Sequence, residues 1–364
     1  MITRLLCYAF LALTVPLAAA FSVGFVNPGK STETYWVTVS QVMQAAAKQL
    51  DIQLEVVYAE RDHLRMEGLT QDFANRPPDK RPEFLILTNE RRMGGTQLKI
   101  AEQAGINVLF AFSGILDEDR IEYATPRTRY PHWLGTLEPH AEDAGYQTME
   151  ALIVEGLREH RQGADGKLHV VAIAGDRSTA VSIRRNAGML KAIAAHTDVV
   201  LDQTVFGDWQ RAKAAEQANV LYLRYPGTQL VWCGNDEMAF GAMDALKASG
   251  KQPGRDKLFS GINTSREAMN DLIAGQLTTL SGGHYMTGAW ALVMLYDYKH
   301  GRDFSSEGLE LDKPMFAQFR AADARKYLER FTDGVPDVDF RRFSKALNPA
   351  LKQYDFRFTQ LLAP

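Results

Sequence analysis

Residues suited to holding a polar ligand recur at regular places in this 364-residue chain, each just after a short apolar run. Asn27-Pro28-Gly29-Lys30-Ser31 and then Tyr35-Trp36 follow the run Phe21 to Val26. Asn89-Glu90 follows Phe84 to Leu87, and Ser113 follows Val108 to Phe112. Asp176-Arg177 follows His169 to Ile173, Asp208-Trp209 follows Val199 to Phe206, Asn235-Asp236 follows Leu230 to Cys233, and Asn263 follows Phe259 to Ile262. Aromatic planes mixed with amides, carboxylates and guanidinium groups suit a polyhydroxylated ring, whose apolar faces stack while its hydroxyls pair with side chains.

Signatures of catalysis are lacking. The chain has no GxSxG, HExxH, Walker loop or GxGxxG. Seven histidines, from His63 to His196 and His300, are scattered without metal-ligand spacing, and Asp117-Glu118-Asp119 reads as a solvated turn. Each candidate also has an ordinary structural role open to it. Tyr35-Trp36 could be core, Asn235-Asp236 an N-cap, Arg184-Arg185 a solvated helix face and Asn263 a turn residue. A pair of carboxylates such as Glu90 and Asp236 would be needed for a glycoside hydrolase, which is the enzymatic alternative.

The elements that must position these residues follow a parallel-sheet pattern. The apolar runs above, with Leu54 to Tyr58, alternate with amphipathic stripes such as Val39, Val42, Met43, Ala46, Ala47 and Leu50, which indicates βαβ units. A polar, Pro-punctuated stretch from Asp117 to His132 breaks the pattern, and it restarts with a helix from about Pro139 to Arg161, predicting two similar α/β halves. Beyond Pro314 comes a charged, Phe-rich tail. Lys plus Arg number 41 against 44 Asp plus Glu, so no basic field invites nucleic acid. Two cysteines, Cys7 and Cys233, supply neither a disulfide framework nor a zinc site. Arg4, the apolar stretch Leu5 to Leu17 and Ala18-Ala19-Ala20 read as a signal peptide over residues 1–20, cleaved near Ala20 on export to the periplasm.

The segment from Leu230 to Leu246, reading LVWCGNDEMAFGAMDAL, resembles the NDEMAxGAxxAL segment of type I periplasmic sugar-binding proteins, the ribose-binding-like receptors of ABC transporters. Supporting segments fall in the family's order: Gly135 to Gly145, Ser178 to Met189 with Arg185 three residues before Gly188, and Gly261-Ile262-Asn263. Val26 to Ser31 followed by Tyr35-Trp36 is similar to the LuxP-type autoinducer receptors within that family. Where those receptors carry an arginine six residues before the glycine matched by Gly288, this chain has Gly282, so a borate diester clamped by two arginines is not implied.

The resemblance implies two Rossmann-like, doubly wound parallel-sheet lobes joined by a three-strand hinge near Gly135, Thr264 and Tyr285. The expected lobes are 21–136 plus 285–315, and 137–284 plus the tail 316–364. The expected ligand set is Tyr35, Trp36, Asn89, Ser113, Arg185, Trp209, Asn235, Asp236, Asn263 and His284, with His284 either in the cleft or at the hinge. The implied function is capture of a small sugar or polyol by a monomer, without metal, cofactor or catalysis, for an ABC permease. A receptor partnering a membrane sensor kinase is the alternative role.

Overall fold

The computed structural model describes residues 21–331 and 337–362; the expected signal peptide lies outside the described residues. The first sheet receives β1 (Phe21–Asn27), β2 (Ile52–Tyr58), β3 (Phe84–Leu87), β4 (Asn107–Ala111) and β5 (Trp133–Pro139). Helices α1 (Thr34–Gln49), α2 (His63–Ala74), α3 (Gly94–Gln103) and α4 (Arg120–Tyr123) lie between them. The second unit runs α5 (Ala141–Arg158), β6 (Leu168–Ala174), α6 (Ala180–Ala194), β7 (Val199–Phe206), α7 (Arg211–Arg224) and β8 (Leu230–Cys233). It continues through α8 (Asp236–Ala248), β9 (Leu258–Ile262), α9 (Arg266–Ile273) and β10 (Thr279–Gly282). Then α10 (Thr287–Lys299) and β11 (Glu310–Lys313) return to the first unit, and β12 (Ala317–Phe319) and α11 (Ala321–Arg330) to the second, before a tail ending in α12 (Thr359–Leu362).

The sheet orders are β11-β5-β4-β3-β1-β2 and β12-β10-β9-β8-β6-β7. All neighbours are parallel except β10 with β12. Helices cover both faces of such sheets, which is why β3 and β8 read as unbroken apolar runs and are fully buried. In each lobe the order reverses beside the first strand, at β1/β3 and at β6/β8, and those strand ends are where doubly wound sheets receive ligands.

The chain crosses between lobes three times: at Pro139-His140, at Gly283 to Met286, and at Pro314 to Phe316. The His140 amide donates to the Lys313 carbonyl at 2.9 Å, tying the first crossover to the third. The hinge expected near Thr264 is not there. Thr264 sits in the β9–α9 loop within the second lobe, and the third crossing is the Pro314 segment.

Two close approaches set the helix that carries Arg185. A Cβ on Gly145 of α5 would lie 1.9 Å from the Arg185 carbonyl oxygen, and one on Gly188 of α6 would lie 1.9 Å from the Glu142 carbonyl oxygen. Only glycine at both positions lets the two helices touch backbone to backbone.

The tail, expected with the second lobe, spans both. Phe340 and Phe356 pack on Trp290 of α10 at 5.6 and 5.0 Å, and the Phe340 amide donates to Gln49 Oε1 of α1 at 2.8 Å. Buried Asp297 accepts from Ser344 Oγ, from the Lys345 and Ala346 amides at 2.7 and 3.0 Å, and from the Tyr354 hydroxyl at 2.8 Å. Phe358 then packs among Tyr285, Phe319, Tyr327 and Phe331, with its ring where a Gly283 side chain would otherwise stand. A charged stretch is held on the first lobe by one buried carboxylate and a row of rings, because the unpaired carboxylate of Asp297 would be costly without those donors.

Candidate functional site

The first-lobe wall of the interlobe cleft starts at the end of β1. Asn27 Oδ1 accepts from the Gly29 amide at 2.9 Å, and its Nδ2 donates to the Trp36 carbonyl at 3.2 Å and Ser40 Oγ at 3.0 Å. That side chain thus fixes both the loop and the first turn of α1. Trp36 is 5% exposed and packs edge-on against Phe112 at 5.1 Å, with Gly29 directly under its ring. Arg61 arrives from the turn after β2, where Glu60 and Arg61 both have positive φ, 55° and 63°. Its Nε donates to Glu33 Oε2 at 2.9 Å and its Nη1 to Glu90 Oε1 at 2.8 Å. Burial pushes Glu90 up to about 7, against the pull of Arg61.

The second-lobe wall is organised by Asp176 at the end of β6. Its Oδ1 accepts from the Ser178 and Thr179 amides at 2.8 and 2.7 Å, and its Oδ2 accepts from Trp209 Nε1 at 2.9 Å. Burial alone would raise this carboxyl; the Thr179, Ser178 and Trp209 hydrogen bonds hold it below its usual value. Asp208 and Trp209 have φ of 50° and 64°, a left-handed pair that turns the indole over Gly175.

At the centre stand Arg185 and His284, 4% and 3% exposed. Arg185 Nη1 donates to the Gly234 carbonyl at 2.8 Å and Nη2 to His284 Nε2 at 2.9 Å. The His284 ring lies between Tyr35 at 5.0 Å and Phe316 at 4.5 Å, nearly parallel to both, and the Arg185 guanidinium sits 5.8 Å from the Trp209 ring. Burial pulls Arg185 down to about 10, and burial plus the Arg185 charge holds His284 well below its usual value. The imidazole is therefore neutral. Since its Nε2 accepts, its proton is on Nδ1. Arg185 Nε and His284 Nδ1 are both buried without a hydrogen-bond partner. A buried donor left unpaired costs about 1–3 kcal/mol, which an acceptor oxygen brought against it would offset.

Of the residues expected from sequence, Tyr35, Trp36, Ser113, Arg185, Trp209, Asn235, Asn263 and His284 line the cleft cavity together. His284 belongs to the second crossover and faces the cleft, so it occupies both of the places expected for it. Asn89 does not line it: its Oδ1 accepts from the Gly94 amide and its Nδ2 donates to the Gly114 carbonyl, both at 2.8 Å, stapling two loops. Asp236 is also turned away from this cavity. It accepts from Asn263 Nδ2 at 2.7 Å, Ser265 Oγ at 2.6 Å and the Glu237 amide at 2.9 Å, which holds Asn263 at φ 128°. Asn235 Oδ1 caps α8 through the Met238 amide at 2.9 Å while still lining the cleft. Glu33 and Arg61 line it too, unannounced by the sequence reading although Arg61 stands three residues beyond β2 and obeys the same strand-end rule.

The lobes meet directly around this cavity. Arg184 Nη1 donates to Glu138 Oε2 at 2.8 Å, and the Arg91 amide donates to Thr179 Oγ1 at 3.2 Å. Among the described residues no group of three or more His, Cys, Asp or Glu could hold a metal ion.

Comparison with known proteins fits this architecture. The periplasmic binding protein domain family matches residues 23–303. A crystal structure of a periplasmic sugar-binding protein from Pseudomonas fluorescens is 37% identical, covers 94% of this chain and 99% of its own, and superposes with a TM-score of 0.83. The ribose import binding protein of Escherichia coli is 33% identical over 102 residues, 28% of this chain and 34% of that one. The D-allose-binding periplasmic protein of Escherichia coli is 30% identical over 152 residues, 42% of this chain and 47% of that one. The matches to these two relatives span about a third to a half of their lengths. With a family match over most of its length and two parallel-sheet lobes linked by three crossovers, this chain belongs to the periplasmic binding protein family.

Proposed function

We propose that the chain captures a small neutral sugar or polyol between its lobes and hands it, unchanged, to an ABC permease. The observation that carries this reading is the pairing of Trp36 and Trp209 from opposite lobes around Arg185 and His284, two donors whose Arg185 Nε and His284 Nδ1 lack partners. A sugar ring offers what such a site needs: apolar faces for indoles and hydroxyl oxygens for the donors. The Arg61 guanidinium is already engaged by Glu33 and Glu90, which leaves Arg185 and His284 as the donors open to a ligand. The names of the ribose and allose relatives point the same way.

Hydrolysis is not part of this reading. Glu90 is engaged by Arg61, and Asp236 is enclosed by Asn263, Ser265 and the Glu237 amide, so the two carboxylates weighed for such a role serve as positioning groups. The two lobes open and close about the three crossovers, and ligand contacts on both sides favour closure. Export with cleavage near Ala20 would place the protein in the periplasm. Calorimetric titration of the mature protein against pentoses, hexoses and inositols tests the proposal. Saturable binding of at least one neutral sugar, recovered chemically intact, is expected; no binding across the panel, or turnover, overturns it.

A further inference from the structure

A second cavity of about 140 Å3 adjoins the cleft, whose own cavity is about 50 Å3. The two share Glu33, Tyr35, Asn235 and Asn263 as a common wall. The outer chamber lies between the N-terminal turn of α1 on one lobe and α9 and α11 on the other. Its distinctive lining is Thr38, Glu237, Arg266, Tyr327, Leu328 and Phe331. A cavity of about 150 Å3 is large enough to admit a benzene-sized ring. The inner chamber is about a third of that size, so the lobes must part about the crossovers to seat a ring, and Glu33, Tyr35, Asn235 and Asn263 are then the boundary a substituent would cross to reach the outer chamber.

The chemistry of the outer chamber differs from that of the inner one. One side is apolar, supplied by Tyr327, Leu328 and Phe331 of the segment that follows β12. The other side carries Glu237, whose carboxylate has no hydrogen bond among the described residues, next to Asp236 and in the field of Arg211, with Arg266 the one cation among the lining residues. Burial and the Asp236 charge push Glu237 up to about 7. Such a chamber suits a neutral group with one apolar face and hydroxyls to donate, and it disfavours a carboxylate or phosphate, which would meet Glu33, Asp236 and Glu237.

We propose that the ligand is a substituted sugar, a neutral glycoside or disaccharide, with one ring in the cleft and its substituent in the outer chamber. This rests on the reading of the cleft as a sugar site. The substituent adds contact area without calling on Arg185 or His284, so one ring is read by polar donors and its substituent by shape.

The test compares D-ribose, D-allose, D-galactose and L-arabinose with their methyl glycosides and with neutral disaccharides, by calorimetric titration of wild type, Leu328→Trp and Glu237→Gln. Wild type is expected to bind a substituted sugar at least as tightly as the matching free one. Leu328→Trp, which fills the chamber, should weaken the substituted ligand about tenfold or more. It should leave the free sugar within about twofold, since no new contact reaches the inner ring. Glu237→Gln keeps the volume and should weaken disaccharides alone. Retained binding of free sugars shows that each variant is folded. Exclusion of every substituted sugar while free sugars bind, or a Leu328→Trp variant indistinguishable from wild type on all ligands, overturns the inference and leaves the sugar-site reading standing. Binding of no sugar at all, free or substituted, overturns both.

Discussion

Replacing Arg185 by Met removes the group on which the cleft depends and tests whether its cost and its use are separable. In the ligand-free protein Arg185 is a buried cation with no carboxylate hydrogen-bonded to it, and burial has drawn it down to about 10. At 1.36 kcal/mol per pKa unit, holding that charge costs on the order of 3 kcal/mol. The sign follows directly: a cation with a depressed native pKa destabilises the fold at neutral pH, and the penalty lifts only as pH rises through about 10. Met removes the penalty and fills much of the volume. It forfeits two hydrogen bonds, to the Gly234 carbonyl and His284 Nε2, worth about 1.5–3 kcal/mol each for a charged donor. The balance is a loss of about 0–3 kcal/mol, so ligand-free melting should fall by no more than a few degrees. Binding should not escape, because loss of a buried charge-assisted donor typically costs about 2–5 kcal/mol, or roughly 30-fold or more in affinity. Scanning calorimetry of ligand-free protein, beside titration with the tightest sugar of the panel, reads both quantities. An Arg185→Met protein that melts ten degrees lower yet binds normally would make Arg185 a structural residue and refute the reasoning.

Three further outcomes follow from the same contacts. Glu90 keeps its proton up to about 7 in the native state, so stability should fall as pH rises from about 4.5 to 7 and level off above; Glu90→Gln should flatten that slope in pH-dependent melting, and an unchanged slope would contradict the burial argument. Gly145→Ala places a Cβ 1.9 Å from the Arg185 carbonyl oxygen and should both lower melting and weaken sugar binding, whereas Gly227→Ala, with open space around it, should do neither. Phe358→Ala empties a pocket formed by Tyr285, Phe319, Tyr327 and Phe331 and should cost about 3–5 kcal/mol in denaturant unfolding, with little effect on the affinity of the protein that remains folded for a free monosaccharide.

The central strands were the most legible in sequence because strands covered by helices on both faces are apolar, as in Phe84 to Leu87 and Leu230 to Cys233. Short strands such as Glu310–Lys313 and Ala317–Phe319 lack that pattern: they sit at sheet edges, and their register comes from the partner strand. The misplaced crossover has the same origin, since the Pro314 segment between them carries no signal of its own. Strand-end position picked out most of the expected residues that line the cleft cavity but not side-chain direction. Asn89 and Asp236 stand where Ser113 and Asn235 stand, yet their polar atoms turn to neighbouring loops. Arg61 went unread because the left-handed Glu60-Arg61 turn that swings it inward uses residues that do not advertise such a conformation. The tail was legible as an appendage, but it takes the donors gathered on Asp297, the Phe340 amide on Gln49 and the rings on Trp290 to reveal that it is bound to the first lobe.

A crystal structure of the protein grown with the tightest-binding sugar tests the central claim most directly. The account predicts one ring between Trp36 and Trp209, with Arg185 Nε and His284 Nδ1 each within hydrogen-bond distance of a sugar oxygen. A sugar bound elsewhere on the molecule, or one seated in the cleft with both of those nitrogens still unpartnered, would contradict it.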